Sequence, residues 1–188
     1  KGLLGWILNK SVNKEKVDKQ INDLYEKLLK LRKMKEPLVE NGWGILWLGC
    51  LITILDGNWK DVHCRGRISD FDLDDDVLII YTETAWAEMS EVRYFLEKVY
   101  PGLKIYYYEE EPGSEIYQTN DKHGHFFTQK YVFDDHEGEG MEYFDDSESL
   151  LAFASEAMNL KLKTIEDLND AVDDSEGFSF HEIKVMND

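Results

Sequence analysis

"ISDFDLDDDVLIIYTETAW" (68–86) sets five carboxylates in the seven positions from Asp70 to Asp76 and then runs straight into the apolar "VLIIY". How this stretch is read decides the fold. "VLIIYTETAW" (77–86) has the β-branched, continuously apolar start of a strand buried on both faces. Upstream, "KDVHCRGRI" (60–68) alternates enough to be a second strand. Two such strands pair antiparallel across the charged segment. The acidic run then reads as their turn, since aspartate suits tight connections and its charge stays in water. A calcium loop is the competing reading. Counting from Asp70, Asp72 and Asp74 fall correctly, but position six is Asp75 where glycine is needed and position twelve is Tyr81 where an acid must close the shell.

Working outward, Val17, Ile21, Leu24, Leu28 and Leu31 recur at alternating spacings of four and three. That is one apolar stripe on a helix, predicted over 14–35, capped by Ser11 or Asn13 and ended by Pro37. "LLGWILNK" (3–10) reads as a short strand before it. "GWGILWLGCLITIL" (42–55) is ambiguous between helix and strand. Beyond the acidic run, Met89, Val92, Phe95, Leu96 and Val99 share a helical face, and Pro101-Gly102 stops that helix. "LKIYYYEEE" (103–111) is a strand with Ile105 and Tyr107 on one face and Tyr106 and Tyr108 on the other. The order β, α, β, β, α, β predicts an α+β protein with a ferredoxin-like core over residues 1–120, an antiparallel sheet with both helices on one face. Residues 121–188 form an acidic C-terminal α/β extension packed on or beside it. There "HFFTQKYVFDD" and "GMEYFDD" read as a hairpin. Helices follow at 147–160, opened by Ser147, and at 164–172, capped by Thr164, with a last strand at 178–185.

The 188 residues, 43% hydrophobic and 13% aromatic, are enough for a packed core without a covalent staple. No apolar run approaches the roughly 18 residues needed to span a membrane, and "GLLGWIL" (2–8) is too short for a signal-peptide core with its flanks. Cys50 and Cys64 are not a CxxC pair. They read either as a disulfide or as the reduced, buried thiols of a cytoplasmic protein. Net charge is −18, with residues 1–40 at +4 and the remainder at −22. Such a field repels the phosphate backbone, so direct nucleic-acid binding is not expected. It suits solubility, a basic partner or imitation of nucleic acid.

Chemistry is sparse. His123 and His125 make a His-x-His pair, which on a strand points both rings one way, but no further ligands lie nearby in sequence, and neither a metal nor any other cofactor is assigned. There is no G-x-S-x-G elbow, no phosphate-binding glycine pattern, and His63 beside Cys64 is adjacency without triad geometry. The sequence therefore leans away from an enzyme. A small enzyme of undefined reaction remains one of the alternatives.

Residues 58–121 resemble the YubB-like, or Api92-like, family of ferredoxin-like domains from bacteria, plasmids and phages. "NWKDV" (58–62), "TETAWAEMSEV" (82–92) and "YPGLKIYYYEEEPGSEIY" (100–117) carry the resemblance. Asn58-Trp59 replaces the family's usual Lys-Trp, and Ala87-Glu88 stands where proline is common. The resemblance implies the fold already read from pattern and no defined reaction. Trp59 and Trp86 lie in the matching stretches. With Tyr106 and Tyr108, and rimmed by Glu109, Glu110 and Glu111, they form the candidate partner-binding surface, in which the two tryptophans are expected to pack together. The preferred reading of the two tryptophans is that they simply complete the core. The expected function is a non-enzymatic binding or regulatory module engaging a protein; the alternative is an acidic nucleic-acid mimic of the antirestriction type, from a phage or plasmid.

Overall fold

A computed structural model describes residues 4–10, 14–136, 138 and 140–187. The chain is α+β and divides into two compact units, Lys1–Ile116 and Tyr117–Asp188. In the first, β1 (Leu4–Lys10) leads to α1 (Lys14–Arg32), whose predicted caps Ser11 and Asn13 lie outside the described residues. Then come α2 (Leu48–Ile54), β2 (Gly66–Asp74), β3 (Val77–Thr84), α3 (Ser90–Val99) and β4 (Leu103–Glu111). These strands are ordered β2-β3-β1-β4, and each neighbouring pair is antiparallel.

The stripe on α1 is the backbone of the core: Val17, Ile21, Leu24, Leu28 and Leu31 are all buried. They pack in one cluster with Leu48, Leu51 and Ile52 of α2, Val92 and Leu96 of α3, and the inward strand residues Phe71, Leu78, Ile80, Ile105 and Tyr107. Helix α1 stops at Arg32, three residues short of the expected end. The chain tightens there, with Met34 N–H reaching back to Leu31 at 3.0 Å. The ambiguous apolar run resolves as the short helix α2 preceded by a loop.

The acidic stretch corrects the sequence reading. It is mostly strand, not turn. β2 begins at Gly66 and carries Asp70, Asp72 and Asp74 outward while Phe71 and Leu73 point in, the period-two alternation of a half-buried strand. The connection shrinks to Asp75-Asp76, with Asp74 opposite Val77 and Asp75 at φ 50°, a left-handed geometry aspartate tolerates. A bulge between Ile68 and Asp70 re-aims the strand. Asp70 then meets Arg32 at 2.7 Å. The Phe71 N–H and that guanidinium together hold its carboxyl below the usual range. The expected strand over 60–68 is instead a single 3-10 turn at Trp59–Asp61, capped by the Asn58 side chain, and an extended approach to β2.

On α3 the predicted face is partly wrong. Val99 is exposed, and Arg93 is buried in its place beside Met89, Val92 and Leu96. On β4 the face assignment of Ile105 and Tyr107 against Tyr106 and Tyr108 follows the pleat, but burial extends along both faces.

The second unit contains β5 (Ile116–Thr119, straddling the boundary), β6 (Tyr131–Asp135), β7 (Gly140–Phe144), α4 (Ser147–Ala157), α5 (Ile165–Asp173), β8 (Phe178–Glu182) and β9 (Lys184–Val185). The expected hairpin is β6 and β7. Strand β8 joins it from the other side to give the order β7-β6-β8, and β9 pairs parallel with β5. Helices α4 and α5 bury Leu150, Ala154 and Leu168 against Phe133. Asp146, not Ser147, caps α4 by accepting from Ser149 N–H at 2.8 Å. Thr164 caps α5 in a reciprocal capping box with Asp167. No helix among the described residues is long and apolar enough to cross a membrane.

Candidate functional site

The residues singled out from sequence separate into three environments. Trp59 packs edge-on against Trp47, not against Trp86, with ring centroids 5.1 Å apart. Trp59 packs against the core, but Trp86 is 71% exposed, which corrects the expectation that both tryptophans complete it. Tyr106, Glu109 and Glu110 are buried, so the glutamates do not form the solvated rim expected of them; Tyr108 and Glu111 are half-buried.

The reason is the length of β4. Its last residues continue the pleat into covered structure, where the Glu109 and Glu110 carboxylates take fixed donors. Glu109 accepts the Glu88 N–H at 2.6 Å. Glu110 accepts the Tyr108 hydroxyl at 3.1 Å. Glu88 is itself drawn in, paired with the buried Arg93 at 3.0 Å, while the Arg93 guanidinium lies 5.0 Å from the Tyr107 ring centre and 4.7 Å from that of Tyr94. These contacts fasten the segment between β3 and α3. Trp86 projects from it at φ 75°, a backbone region that costs a bulky residue energy and persists only when its surroundings impose it.

Beside this segment lies a cavity of about 470 Å³ walled by Trp43, Trp47 and Trp59, with Lys60, Arg65 and Glu91 among its polar groups. Trp47 is held by its ring N–H, which donates to the Cys64 carbonyl at 2.8 Å, and by the absence of a side chain at Gly49, where a Cβ would enter the Trp47 ring. The chain links the cavity to Trp86 on both sides. Ala85 N–H bonds the carbonyl of Arg65 on one wall, and Glu91 on α3 accepts the His63 N–H at 2.7 Å on another. Lys60 sits 5.7 Å over the Trp59 ring, so one aromatic face already carries a cation. The surface thus combines an exposed tryptophan on a segment anchored by hydrogen bonds with an aromatic cavity whose wall residue Arg65 bonds the residue before that tryptophan.

Nucleophilic chemistry does not fit this cavity. Burial pushes the Cys64 thiol up, and the charge of Glu91 adds to that, which is the opposite of an activated thiolate. Cys50 and Cys64 are both free and buried. His123 and His125 have ring centres 5.5 Å apart, and among the described residues no group of three or more His, Cys, Asp or Glu side chains is arranged to hold a metal ion.

Sequence reasoning missed Trp43, Trp47 and the Glu88–Arg93 pair. "GWGILWL" was the available signal for the tryptophans, since two aromatic rings precede a helix too short to bury both. Nothing in sequence marks Arg93 as buried, because arginine at a helical surface position is ordinary. No protein-family model matches the chain, and neither a curated protein nor a solved structure shows significant similarity to it.

Proposed function

We propose that this protein is a non-enzymatic binding module that engages a protein partner through a basic segment, using Trp86 and the neighbouring tryptophan cavity. The observation that carries the reading is Trp86, 71% exposed at φ 75° on a segment anchored by buried ionic contacts. A large aromatic held out on a fixed backbone loses little conformational freedom on binding and is the commonest kind of interface anchor. The net charge of −18 favours a partner of opposite sign, and lysine or arginine stacks readily on indole. The strand order β2-β3-β1-β4 supports a split-βαβ, ferredoxin-like plan for the first unit and, with the "TETAWAEMSEV" segment, kinship with the YubB-like domains. Two free, buried thiols suit a cytoplasmic setting.

The test is a titration of the full chain with a lysine- and arginine-rich peptide and with a glutamate-rich one, followed by tryptophan fluorescence. The basic peptide binds and the acidic one does not. Trp86→Ala keeps the far-UV spectrum and weakens binding at least about tenfold. Equal binding by Trp86→Ala and the parent chain would leave only diffuse electrostatics and sink the proposal.

A second reading has one specific observation behind it. Asp70, Asp72 and Asp74 project from the edge strand β2 at alternate positions, so their Cα atoms repeat every ~6.6–6.8 Å. Phosphates along one nucleic-acid strand repeat at roughly 7 Å. The row is short, and Arg32 neutralises its first member. A mimic of nucleic acid built on it competes with DNA for a restriction nuclease in a salt-sensitive way, and Asp72→Asn with Asp74→Asn relieves that competition. Unchanged competition by the double variant removes this reading.

A further inference from the structure

In the second unit the chain leaving β5 closes a tight loop around one carboxylate. Lys122 N–H bonds the Asn120 carbonyl at 3.0 Å, and Gly124, at φ 60°, bonds the Asp121 carbonyl at 3.1 Å. The positive φ explains the glycine, since the left-handed geometry is costly for most other residues. Asp121 is thereby turned inward and is 2% exposed. Its own N–H donates to Thr119 Oγ1 at 3.0 Å, and its Oδ2 accepts from Phe126 N–H at 2.7 Å and Phe127 N–H at 3.1 Å. Burial alone pushes this carboxyl up, yet the N–H groups of Phe126, Phe127 and His125 together hold it below the usual carboxylate range. It is therefore an anion at neutral pH. Its other oxygen, Oδ1, is buried and has no hydrogen-bond partner.

A buried ionised acceptor without a donor is costly, and native proteins rarely leave one unmatched. Asp121 belongs to the wall of a cavity of about 570 Å³, within the size range of small-molecule sites. Two cations, Lys122 and Lys130, line the same space, together with the apolar side chains of Phe127, Ile183 and Val185. The wall thus combines the Asp121 carboxylate with one unmatched oxygen, a second carboxylate on Asp145 that accepts the Thr128 hydroxyl, two ammonium groups and an apolar surface. We propose that this cavity binds a free α-amino acid with an apolar side chain, its ammonium group donating to Asp121 Oδ1 and its carboxylate meeting the lysines. Other small ligands fit less completely. A metal ion lacks the carboxylate and imidazole ligands it needs, because no group of three such side chains converges among the described residues. A simple amine brings no carboxylate to the two lysines, and a simple carboxylic acid brings no donor to Asp121 Oδ1 and adds an anion to a wall that already holds Asp121 and Asp145. The site is independent of the tryptophan surface, so neither proposal depends on the other.

Calorimetric titration of the full chain with L-leucine, 4-methylpentanoate and isopentylamine tests the assignment, with the Phe126 and Phe127 amide resonances reporting position. Leucine binds and shifts both resonances, and each analogue, lacking one charged group, binds at least about tenfold more weakly. Asp121→Asn reduces leucine affinity by a similar factor. Because that substitution also touches the loop's own hydrogen bonds, Lys130→Ala provides a second reading from an exposed residue; it weakens leucine and leaves isopentylamine unchanged. Absence of heat and of amide shifts at millimolar leucine overturns the proposal. So does equal binding of leucine and its deaminated analogue, or an ordered water on Oδ1 that leucine does not displace.

Discussion

Arg93→Ala will destabilise the chain by about 3–5 kcal/mol in urea denaturation, the loss expected when one partner of a buried ion pair is removed. Arg93 and Glu88 keep only 3% and 7% of their side-chain surfaces exposed and meet at 3.0 Å. The size of the effect comes from what is left behind, not from the strength of the pair. Without the guanidinium, the buried Glu88 carboxylate loses its ion-pair partner, and the rings of Tyr94 and Tyr107 lose the cation beside them. Replacing both charges, with Arg93→Met and Glu88→Gln, recovers much of the loss, because the desolvation cost disappears together with the attraction. A single variant within about 1 kcal/mol of the parent would show the pair to be solvated, as surface pairs are. Under the proposed function, the same substitution also reaches binding. Glu88 also donates its N–H to Glu109, so loosening it frees the backbone that holds Trp86 at φ 75°. Binding of a basic peptide therefore weakens even where the variant remains folded.

That link between the Glu88–Arg93 pair and the backbone at Trp86 was not legible in the sequence, while much of the scaffold was. The α1 stripe could be read because five leucine, isoleucine and valine residues repeat at helical spacing, and all five are buried. β4 could be read to the residue because "LKIYYYEEE" combines β-formers with clear stops on both sides. The acidic stretch was misread for a physical reason. Aspartate has a poor strand propensity, so five carboxylates in seven positions look like a turn. Propensity yielded to pattern, because Phe71 and Leu73 need the core and the pleat throws the residues between them into water. The glutamates of β4 erred in the opposite direction. A charge run is ordinarily solvated, but Glu109 and Glu110 each find a specific donor from a distant or neighbouring residue, and sequence carries no trace of donors supplied by the fold. The same limit hid Asp121, whose donors arrive only after the loop at Gly124 has closed.

Phe133→Ala will cost the second unit about 3–5 kcal/mol, read as faster amide exchange in β6 and a lower denaturation midpoint. Phe133 is fully buried on the central strand of β7-β6-β8, with Phe153 edge-on at 5.9 Å and Phe178 nearly parallel at 5.6 Å. Helices α4 and α5 close over it through Leu150, Ala154 and Leu168. This cluster has few fully buried members, so one ring is a large fraction of its apolar surface. Flanking β7 and β8 hydrogen-bond to β6 on both sides, which limits how far the backbone can move to fill the space. The cavity left by truncation therefore stays open, and the cost includes lost contacts with two neighbouring rings as well as lost transfer energy. Phe133→Leu, which keeps most of the volume, should lose distinctly less. If alanine and leucine proved equally mild, the phenylalanine cluster would be loosely packed and the sheet, not the rings, would hold this unit together.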